Sequence, residues 1–211
     1  MANSKSISAK AKAKLAEWHQ KKPTFALMGE YSAGKSTLLN LLIGEDVAPT
    51  QVTATNLPPL WVTFSDEPFC EGLRHNGKED PLDLSQETGN LRDSFVLLRI
   101  GLPADRLKTQ DIIDTPGISD PALPKGALRF LTEYLDFVVW CSAANQAWRQ
   151  TERAAWLEFP EALRENSLLV LTRADKLRNE TDVNKVLRRV KRDTEGLFQD
   201  VLPIKTTKAM Q

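Results

Sequence analysis

Short apolar runs and segments with helical periodicity alternate along the 211-residue chain. The apolar runs occupy residues 24–28, 60–64, 94–102, 135–141, 167–171 and 201–204. The helical segments lie at residues 36–43, 127–134, 150–164 and 183–197. Nearly continuous apolar runs are typical of strands covered on both faces, and their alternation with helices indicates parallel strands. The pattern predicts one α/β domain with a doubly wound, mostly parallel sheet flanked by helices.

The N-terminal segment, residues 5–22, has the pattern of a basic amphipathic helix that ends at Pro23. Its apolar face consists of Ile7, Ala11, Leu15 and Trp18. We therefore divide the chain into an amphipathic helix, residues 1–22, and a main domain, residues 23–211, which we also consider as the front part of a longer protein. The narrow apolar face favours packing on the domain itself or on a partner helix, with contact to a lipid surface as the alternative.

Composition removes several classes of function. The 28 basic and 28 acidic residues cancel, so no net field attracts nucleic acid or an anionic membrane. Cys70 and Cys141 belong to no CxxC pair or Cys/His cluster, which argues against a zinc site and favours reduced thiols. No uncharged run approaches about 18 residues, and the N-terminus lacks the apolar core of a signal peptide. We expect a soluble, cytoplasmic protein for which peripheral membrane contact stays open.

Candidate chemistry begins with GEYSAGKST, residues 29–37, which stands between the first apolar run and a helical segment. Its glycines, Gly29 and Gly34, let consecutive backbone N–H groups point inward, so that the loop forms a phosphate cradle at a helix N-terminus. Lys35 is expected to reach the β- and γ-phosphates from a solvent-exposed position, and Ser36 to ligate Mg²⁺. The other residues expected to contact the nucleotide are Glu30, Tyr31, Ser32, Ala33 and Thr37.

A threonine-rich stretch, VAPTQVTATN, follows at residues 47–56. In a protein with such a cradle, this segment supplies a second hydroxyl to the metal and a contact to the γ-phosphate. Thr55 is the first choice for both roles and Thr53 the second. The alternative is a polar surface loop without chemistry. Residues 65–92 are expected to form an insertion that also has no chemistry of its own.

The sequence DIIDTPG, residues 111–117, forms the second motif. A carboxylate at the end of a parallel strand faces the phosphate cradle, so Asp114 is expected to hold Mg²⁺ through water. Gly117 leaves the backbone free to bring its N–H group to the γ-phosphate. Residues 118–126 would then form a loop that moves.

The third motif is TRAD, residues 172–175, at the end of another buried run. Asp175 can accept hydrogen bonds from N1–H and the exocyclic amine of guanine, whereas adenine would leave its charge unpaired. Arg173 can lie flat over the base, and Thr172 is grouped with them as nucleotide-binding. Lys205 and Thr206 are expected to approach the base from its other edge. An ATPase remains the alternative if Asp175 does not contact the base.

With these motifs in this order, the chain resembles the translation-factor-like GTPases, and among them the GTPase domain of bacterial dynamin-like proteins. The resemblance is carried by GEYSAGKST, APTQVTATN, DTPGI and TRAD. It implies that GTP is hydrolysed to GDP and phosphate with Mg²⁺, with a monovalent cation as a second candidate cofactor. It also implies a homodimer that pairs through the nucleotide face and activates hydrolysis. Ser32, Lys35 and Thr55 would be catalytic, and Ser32 would orient the attacking water or the cation.

Departures from related patterns leave the activation step open. Tyr31 stands where the resembled family often has glutamine, and Ile118 stands where small signalling GTPases have a water-orienting glutamine. Ser32, a cation or a group from a second molecule must then place the water. The alternative function is a slow GTP-gated binding switch, such as a ribosome-assembly or scaffold factor. A basic surface around residues 185–192 would favour RNA as its partner, but a solvated helix face is the better explanation of that run.

Overall fold

A computed structural model describes residues 7–47, 57–84, 90–120 and 128–205. Within these residues the strands are β1 (Thr24–Gly29), β2 (Leu60–Phe64), β3 (Phe69–Arg74), β4 (Glu79–Pro81), β5 (Phe95–Leu102), β6 (Asp111–Asp114), β7 (Phe137–Ala143), β8 (Leu168–Thr172) and β9 (Asp200–Pro203). The α-helices are α1 (Ala9–His19), α2 (Lys35–Ile43), α3 (Gln150–Trp156), α4 (Glu161–Glu165) and α5 (Glu180–Asp193). All the strands join one sheet in the order β4-β3-β5-β2-β6-β1-β7-β8-β9.

Strand β1 lies at the centre of the sheet and pairs in parallel with β6 and β7, and β8 and β9 continue the parallel series. Strands β2 and β5 are parallel to each other, and β2 is antiparallel to β6. Strands β3 and β4 add an antiparallel hairpin beside β5. The predicted α/β architecture with a mostly parallel sheet is confirmed. Its parallel half places the ends of β1, β6, β7 and β8 at one edge, as the three motifs require.

Alternate residues of β1 enter two separate cores, one on each face of the sheet. Ala26 and Met28 belong to the core covered by α1, α3 and α5, while Phe25 and Leu27 belong to the core covered by α2. All six residues of the strand are buried. This explains why β1 reads as a continuous apolar run rather than as an alternating one.

Helix α1 packs on the domain itself, which is one of the two arrangements that its narrow apolar face favours. Ala11, Leu15 and Trp18 are buried, and the Trp18 ring meets the Trp61 ring edge-on with centroids 5.6 Å apart. Ser8 caps the helix by accepting a hydrogen bond from the Ala11 N–H. The apolar face is therefore already covered, and the side of α1 that faces outward is basic.

Three elements differ from the sequence prediction. The segment predicted as an insertion forms β3 and β4 and widens the sheet. The helix predicted over residues 150–164 is two helices, because Pro160 has no N–H to continue α3 and instead caps α4. The described part of the segment at 127–134 is a 3-10 helix, Arg129–Tyr134, rather than an α-helix. In the described residues no helix is both long and apolar enough to span a membrane.

Candidate nucleotide-binding site

The loop between β1 and α2 turns sharply at positions that need unusual backbone angles. Gly29 has φ of +141°, and a side chain there would collide with the carbonyl oxygen of Cys141 on β7. Gly34, at the N-cap of α2, has φ of +86°. Ser32 adopts φ of +58° without being glycine, a conformation that costs energy and is concentrated at functional sites. The loop therefore follows the sharply turned backbone path that the motif predicts, and it leads directly into the N-terminus of α2.

Lys35 is buried, which corrects the expectation that its side chain is solvent-exposed. It is 7% exposed, and its ammonium donates hydrogen bonds to the carbonyl oxygens of Gly29 at 3.2 Å and Glu30 at 2.8 Å. Burial lowers the pKa of Lys35 from its ordinary value, opposed by the nearby Asp114 carboxylate. The ammonium therefore lies under its own loop, and among the described residues its hydrogen-bond acceptors are neutral carbonyl oxygens.

Asp114, the last residue of β6, meets Ser36 on the first turn of α2. The Ser36 hydroxyl donates to Asp114 Oδ2 at 2.7 Å. The other carboxylate oxygen, Oδ1, is buried and has no hydrogen-bond partner among the described residues. Burial raises the pKa of Asp114 to about 6, although the Ser36 hydroxyl and Lys35 act in the opposite direction. An unsatisfied carboxylate oxygen next to a hydroxyl fits a small divalent cation, because Mg²⁺ prefers oxygen ligands.

A cleft of about 290 Å³ opens above these groups and is called the P-loop cleft here. Its lining comprises residues 31–37, Leu57, Pro58, Leu60, residues 114–117, Asp120 and Arg173. Gly117 packs directly on the loop, since a Cβ at Gly117 would lie 2.6 Å from the Tyr31 backbone nitrogen. The Ile118 N–H donates to the Gly29 carbonyl at 3.1 Å, while the Ile118 side chain packs against the core. The sequence DTPG, residues 114–117, is called the DxxG motif here. It therefore contacts the phosphate cradle through its backbone.

The TRAD motif reaches the cleft through two of its residues. The Thr172 hydroxyl is buried and donates to the Ala33 carbonyl at 2.6 Å, so it supports the loop from below. Arg173 adopts φ of +55° and lines the cleft. Asp175 lies outside the lining, half-buried in the 3-10 helix Ala174–Lys176. The Ala174 N–H donates to the Ile204 carbonyl at 3.1 Å, which joins the motif to the chain after β9.

Some predicted site residues lie elsewhere or outside the described residues. Lys205 is exposed, and its ammonium lies 3.1 Å from the Glu180 carboxylate at the start of α5. Glu30 directs its side chain away from the P-loop cleft and accepts a hydrogen bond from the Thr151 hydroxyl at 2.9 Å. Thr53, Thr55 and Thr206, together with residues 121–126 of the predicted moving loop, are outside the described residues. The roles assigned to the three threonines therefore stay predictions.

A second cleft, of about 340 Å³, lies on the other side of the loop and was not foreseen from the sequence. The carboxylate of Glu152, which is 2% exposed, organises its floor. It accepts hydrogen bonds from Trp140 Nε1 at 3.1 Å, the Ser142 hydroxyl at 3.0 Å and the Arg149 N–H at 2.9 Å. Burial raises the pKa of Glu152, and these donors oppose the shift. The carboxylate fixes the β7–α3 connection beside the loop.

Comparison with known proteins agrees with this arrangement. A glycine cradle, a strand-end aspartate and a TRAD turn on a mostly parallel sheet define a P-loop GTPase domain. Residues 25–174 match the Dynamin family, and the chain belongs to it. It is thus a dynamin-family GTPase domain, and this membership implies hydrolysis of GTP.

Individual relatives show how far the similarity extends. Dynamin-like protein 2 of Campylobacter jejuni is 29% identical over 196 residues, which are 90% of this chain and 32% of that protein. Isoniazid-induced protein IniC of Mycobacterium tuberculosis is 32% identical over 104 residues, 46% of this chain and 21% of that protein. The chain therefore spans about a third of the length of the Campylobacter protein.

Solved structures share the fold. One comes from an oligomerised bacterial dynamin pair that provides a mechanism for the long-range sensing and tethering of membranes. It has a TM-score of 0.64 at 24% identity, over 90% of this chain and 31% of that chain. Era of Aquifex aeolicus bound to GDP and AlF4⁻ has a TM-score of 0.51 at 19% identity over 88% of this chain and 51% of that chain. At these identities the likeness concerns the fold alone.

Proposed function

We propose that the chain binds GTP with Mg²⁺ in the P-loop cleft and hydrolyses it to GDP and phosphate. The observation that carries the proposal is the half-satisfied carboxylate of Asp114, whose Oδ1 is buried without a hydrogen-bond partner in the described part of the chain. Buried polar atoms are nearly always paired, so an exception at the floor of a cleft indicates a ligand. Ser36 and Asp114 would hold the metal, with Thr55 as the further ligand. Mg²⁺ would there neutralise charge on the β- and γ-phosphate oxygens.

Lys35 supplies the cationic contact to the phosphates. Its two present acceptors are neutral carbonyl oxygens of Gly29 and Glu30. Phosphate oxygens are anionic, so exchanging one carbonyl for a phosphate converts an ordinary hydrogen bond into a charge-assisted one of roughly twice the strength. The backbone N–H groups of residues 32–36 and the N-terminus of α2 add to the same field. Binding thus uses groups that are already in position.

We assign recognition of the guanine base to Asp175 and Arg173. A carboxylate accepts from both N1–H and the exocyclic amine of guanine, whereas adenine has no N1–H donor. The turn that carries Asp175 is held on its N-terminal side, where the Thr172 hydroxyl donates to the Ala33 carbonyl and the Ala174 N–H donates to the Ile204 carbonyl. Lys205, the second residue after β9, stays a candidate for the far edge of the base, and to reach it the ammonium would have to leave Glu180.

Activation by a second copy of the chain is supported by the residue that follows the DxxG motif. Ile118 follows the DxxG motif, and its side chain packs against the core, where it cannot orient water. Ser32 lines the cleft in a strained conformation and is our candidate for orienting the nucleophile, directly or through a monovalent cation. Tyr31 is 57% exposed beside it, a large aromatic side chain on the face where a second copy would meet the nucleotide. We propose that pairing at this face completes the site.

Two experiments test the proposal, the first on a variant of Lys35 and the second on the concentration dependence of turnover. Lys35→Ala should reduce GTP turnover by about a thousandfold, in line with the loss of a preorganised charge at the reacting phosphate. Wild-type turnover in this variant would refute the phosphate cradle.

Specific activity over a wide dilution series then separates the dynamin-type mechanism from a slow GTP-gated switch. We expect turnover per molecule to rise with concentration, light scattering to detect a dimer with a transition-state mimic but not with GDP, and Ser32→Ala to lower kcat more than affinity. A monomer in both states with a concentration-independent rate would leave the binding switch.

Membrane contact by this chain would involve charge rather than insertion. Ala11, Leu15 and Trp18 of α1 are buried, whereas Lys10 and Lys12 on the helix and Lys21 just after it are exposed. We propose that any contact with anionic lipid uses these lysines and weakens with salt. Co-sedimentation with vesicles of anionic and of zwitterionic lipid at low and high salt tests this directly; equal binding to both would contradict it.

A further inference from the structure

A buried ion pair bridges two walls of the P-loop cleft. Arg92 lies in the 3-10 helix Leu91–Asp93, just before β5. Its Nη1 donates to Asp120 Oδ2 at 2.7 Å, and its Nε donates to the Leu57 carbonyl at 2.7 Å. The side chains of Arg92 and Asp120 are 11% and 5% exposed. One guanidinium therefore joins the backbone before β2 to the turn after the DxxG motif.

Two of the residues that Arg92 contacts belong to the cleft, whereas Arg92 itself is outside its lining. Leu57 and Asp120 line the cleft together with Asp114 and Gly117. The Asp120 N–H donates to the Gly117 carbonyl at 3.0 Å, so the carboxylate sits on the same tight turn as the glycine assigned to the γ-phosphate. Arg92 thus lies behind the part of the cleft wall that we assign to the γ-phosphate, and it contacts that wall through Asp120 and Leu57.

The contact between Arg92 and Asp120 affects ligand binding because the Asp120 side chain is negatively charged. Asp120 places a carboxylate on the wall of a cleft that we assign to a polyanion. A charge that is shielded from water interacts strongly at short range, and a like charge in the wall would oppose the γ-phosphate. The guanidinium removes this opposition by pairing with the carboxylate, and it binds Leu57 with the same planar group. A lysine at this position would offer a single point charge in place of the fork.

We propose that Arg92 is a positioning residue that sets the preference of the cleft for the triphosphate over the diphosphate by neutralising Asp120. It does so without touching the nucleotide. The inference rests on the proposed nucleotide site. It also gives residues 65–92 a connection to the chemistry, because Arg92 closes that segment.

The test measures the affinities of variants of the 211-residue chain for a non-hydrolysable GTP analogue and for GDP by calorimetry. Arg92→Gln takes the guanidinium away from the Asp120 carboxylate, and we expect the ratio of analogue to GDP affinity to fall at least tenfold. Asp120→Asn removes the carboxylate, and the ratio should rise. The double variant should return to within threefold of wild type. A purely structural pair predicts that both single substitutions shift the ratio in the same direction or leave it unchanged.

Arg99→Gln is the matched control. Arg99 pairs with Glu71 at 3.2 Å, with side chains 19% and 25% exposed, on β5 and β3 away from the cleft. It should lose stability, followed by urea unfolding, while its affinity ratio stays within threefold of wild type. An unchanged ratio in Arg92→Gln, an equal fall in Arg99→Gln, or a fall in Asp120→Asn would overturn the proposal. Should Arg92→Gln not fold, a rise of the ratio in Asp120→Asn supports the proposal, and a ratio at or below that of wild type overturns it.

Failure of this inference is distinguishable from failure of the proposed function. If the wild-type chain binds neither the GTP analogue nor GDP, the assignment of the cleft is wrong. If it binds both and the ratio does not depend on Arg92, the cleft assignment stands and only the role of Arg92 is refuted.

Discussion

The two ends of strand β6 each carry a buried aspartate, and the surroundings of the two carboxylates differ. Asp111, at the first residue, is 2% exposed. It accepts hydrogen bonds from Trp61 Nε1 at 2.8 Å and the Thr63 hydroxyl at 2.8 Å, and the Lys22 ammonium lies 2.7 Å from Oδ1. Three donors from β2 and the segment after α1 thus converge on it. At this end of the sheet the charge is compensated within the protein.

Asp114, three residues later, is 6% exposed and has one side-chain hydrogen bond, from Ser36. Its second oxygen has no hydrogen-bond partner within the part of the chain that the structure describes, and burial raises the pKa of Asp114 to about 6. The contrast teaches that burial alone does not identify a functional carboxylate. A buried acid whose donors are all supplied by the protein ties the fold together, and one left half-satisfied in a cleft is prepared for a ligand.

Asp114→Ala should have the largest effect on this comparison. We expect GTP turnover to fall about a thousandfold, because a metal ligand is lost, while the free energy of unfolding changes by less than about 1 kcal/mol. Little stability is at stake because the carboxylate has few partners to lose. Steady-state kinetics and urea unfolding of the same sample measure both. A large loss of stability would remove the distinction between the two aspartates.

Asp111→Ala should show the opposite behaviour. Removing the carboxylate leaves Lys22, the Trp61 N–H and the Thr63 hydroxyl without their partner, and breaking a buried ion pair in this way costs about 3 kcal/mol. Activity per folded molecule should be unchanged, because the site lies at the other end of the strand. Chemical unfolding gives the first quantity. Titration of active sites with a tight-binding nucleotide gives the second, and reduced activity per site would contradict the proposed division.

Asp175→Asn extends the comparison to a second acid at the functional edge. The amide can donate to the additional oxo group of xanthine, so preference should move from GTP toward XTP by about a hundredfold. Competition between the two nucleotides for one fluorescent analogue measures the shift. ATP that displaces GTP equally well from the unmodified chain would show that Asp175 does not read the base.

Lys22→Met should give the smallest effect. Lys22 is partly exposed and donates to the Thr63 hydroxyl and the Leu107 carbonyl as well as pairing with Asp111. Its removal leaves the buried Asp111 carboxylate without a cation but with the Trp61 and Thr63 donors, and we expect a loss of about 2 kcal/mol in unfolding free energy, below that of Asp111→Ala. A loss as large as that of Asp111→Ala would mean that the ion pair alone, rather than the convergence of three donors, stabilises this end.

The sequence by itself determined the parts of this protein that local chemistry controls. The spacing in residues 29–37 requires a turn that only glycine accommodates at Gly29 and Gly34, and both have positive φ. Apolar runs covered on both faces identified β1, β7 and β8. Motif order along a parallel sheet then placed Asp114 and Arg173 at the same cleft.

Only the tertiary structure decided the contacts between residues far apart in sequence. Lys35 is buried because its side chain folds back to the carbonyl oxygens of Gly29 and Glu30. Residue spacing does not show this contact. The Arg92–Asp120 pair and the support of Ala33 by Thr172 depend on strand order. Strand β3 was missed because four of its six residues are only half-buried and its sequence has no clear alternation. Pairing partners and register are properties of the assembled sheet, and they determine which of two aspartates on one strand stays open to a ligand.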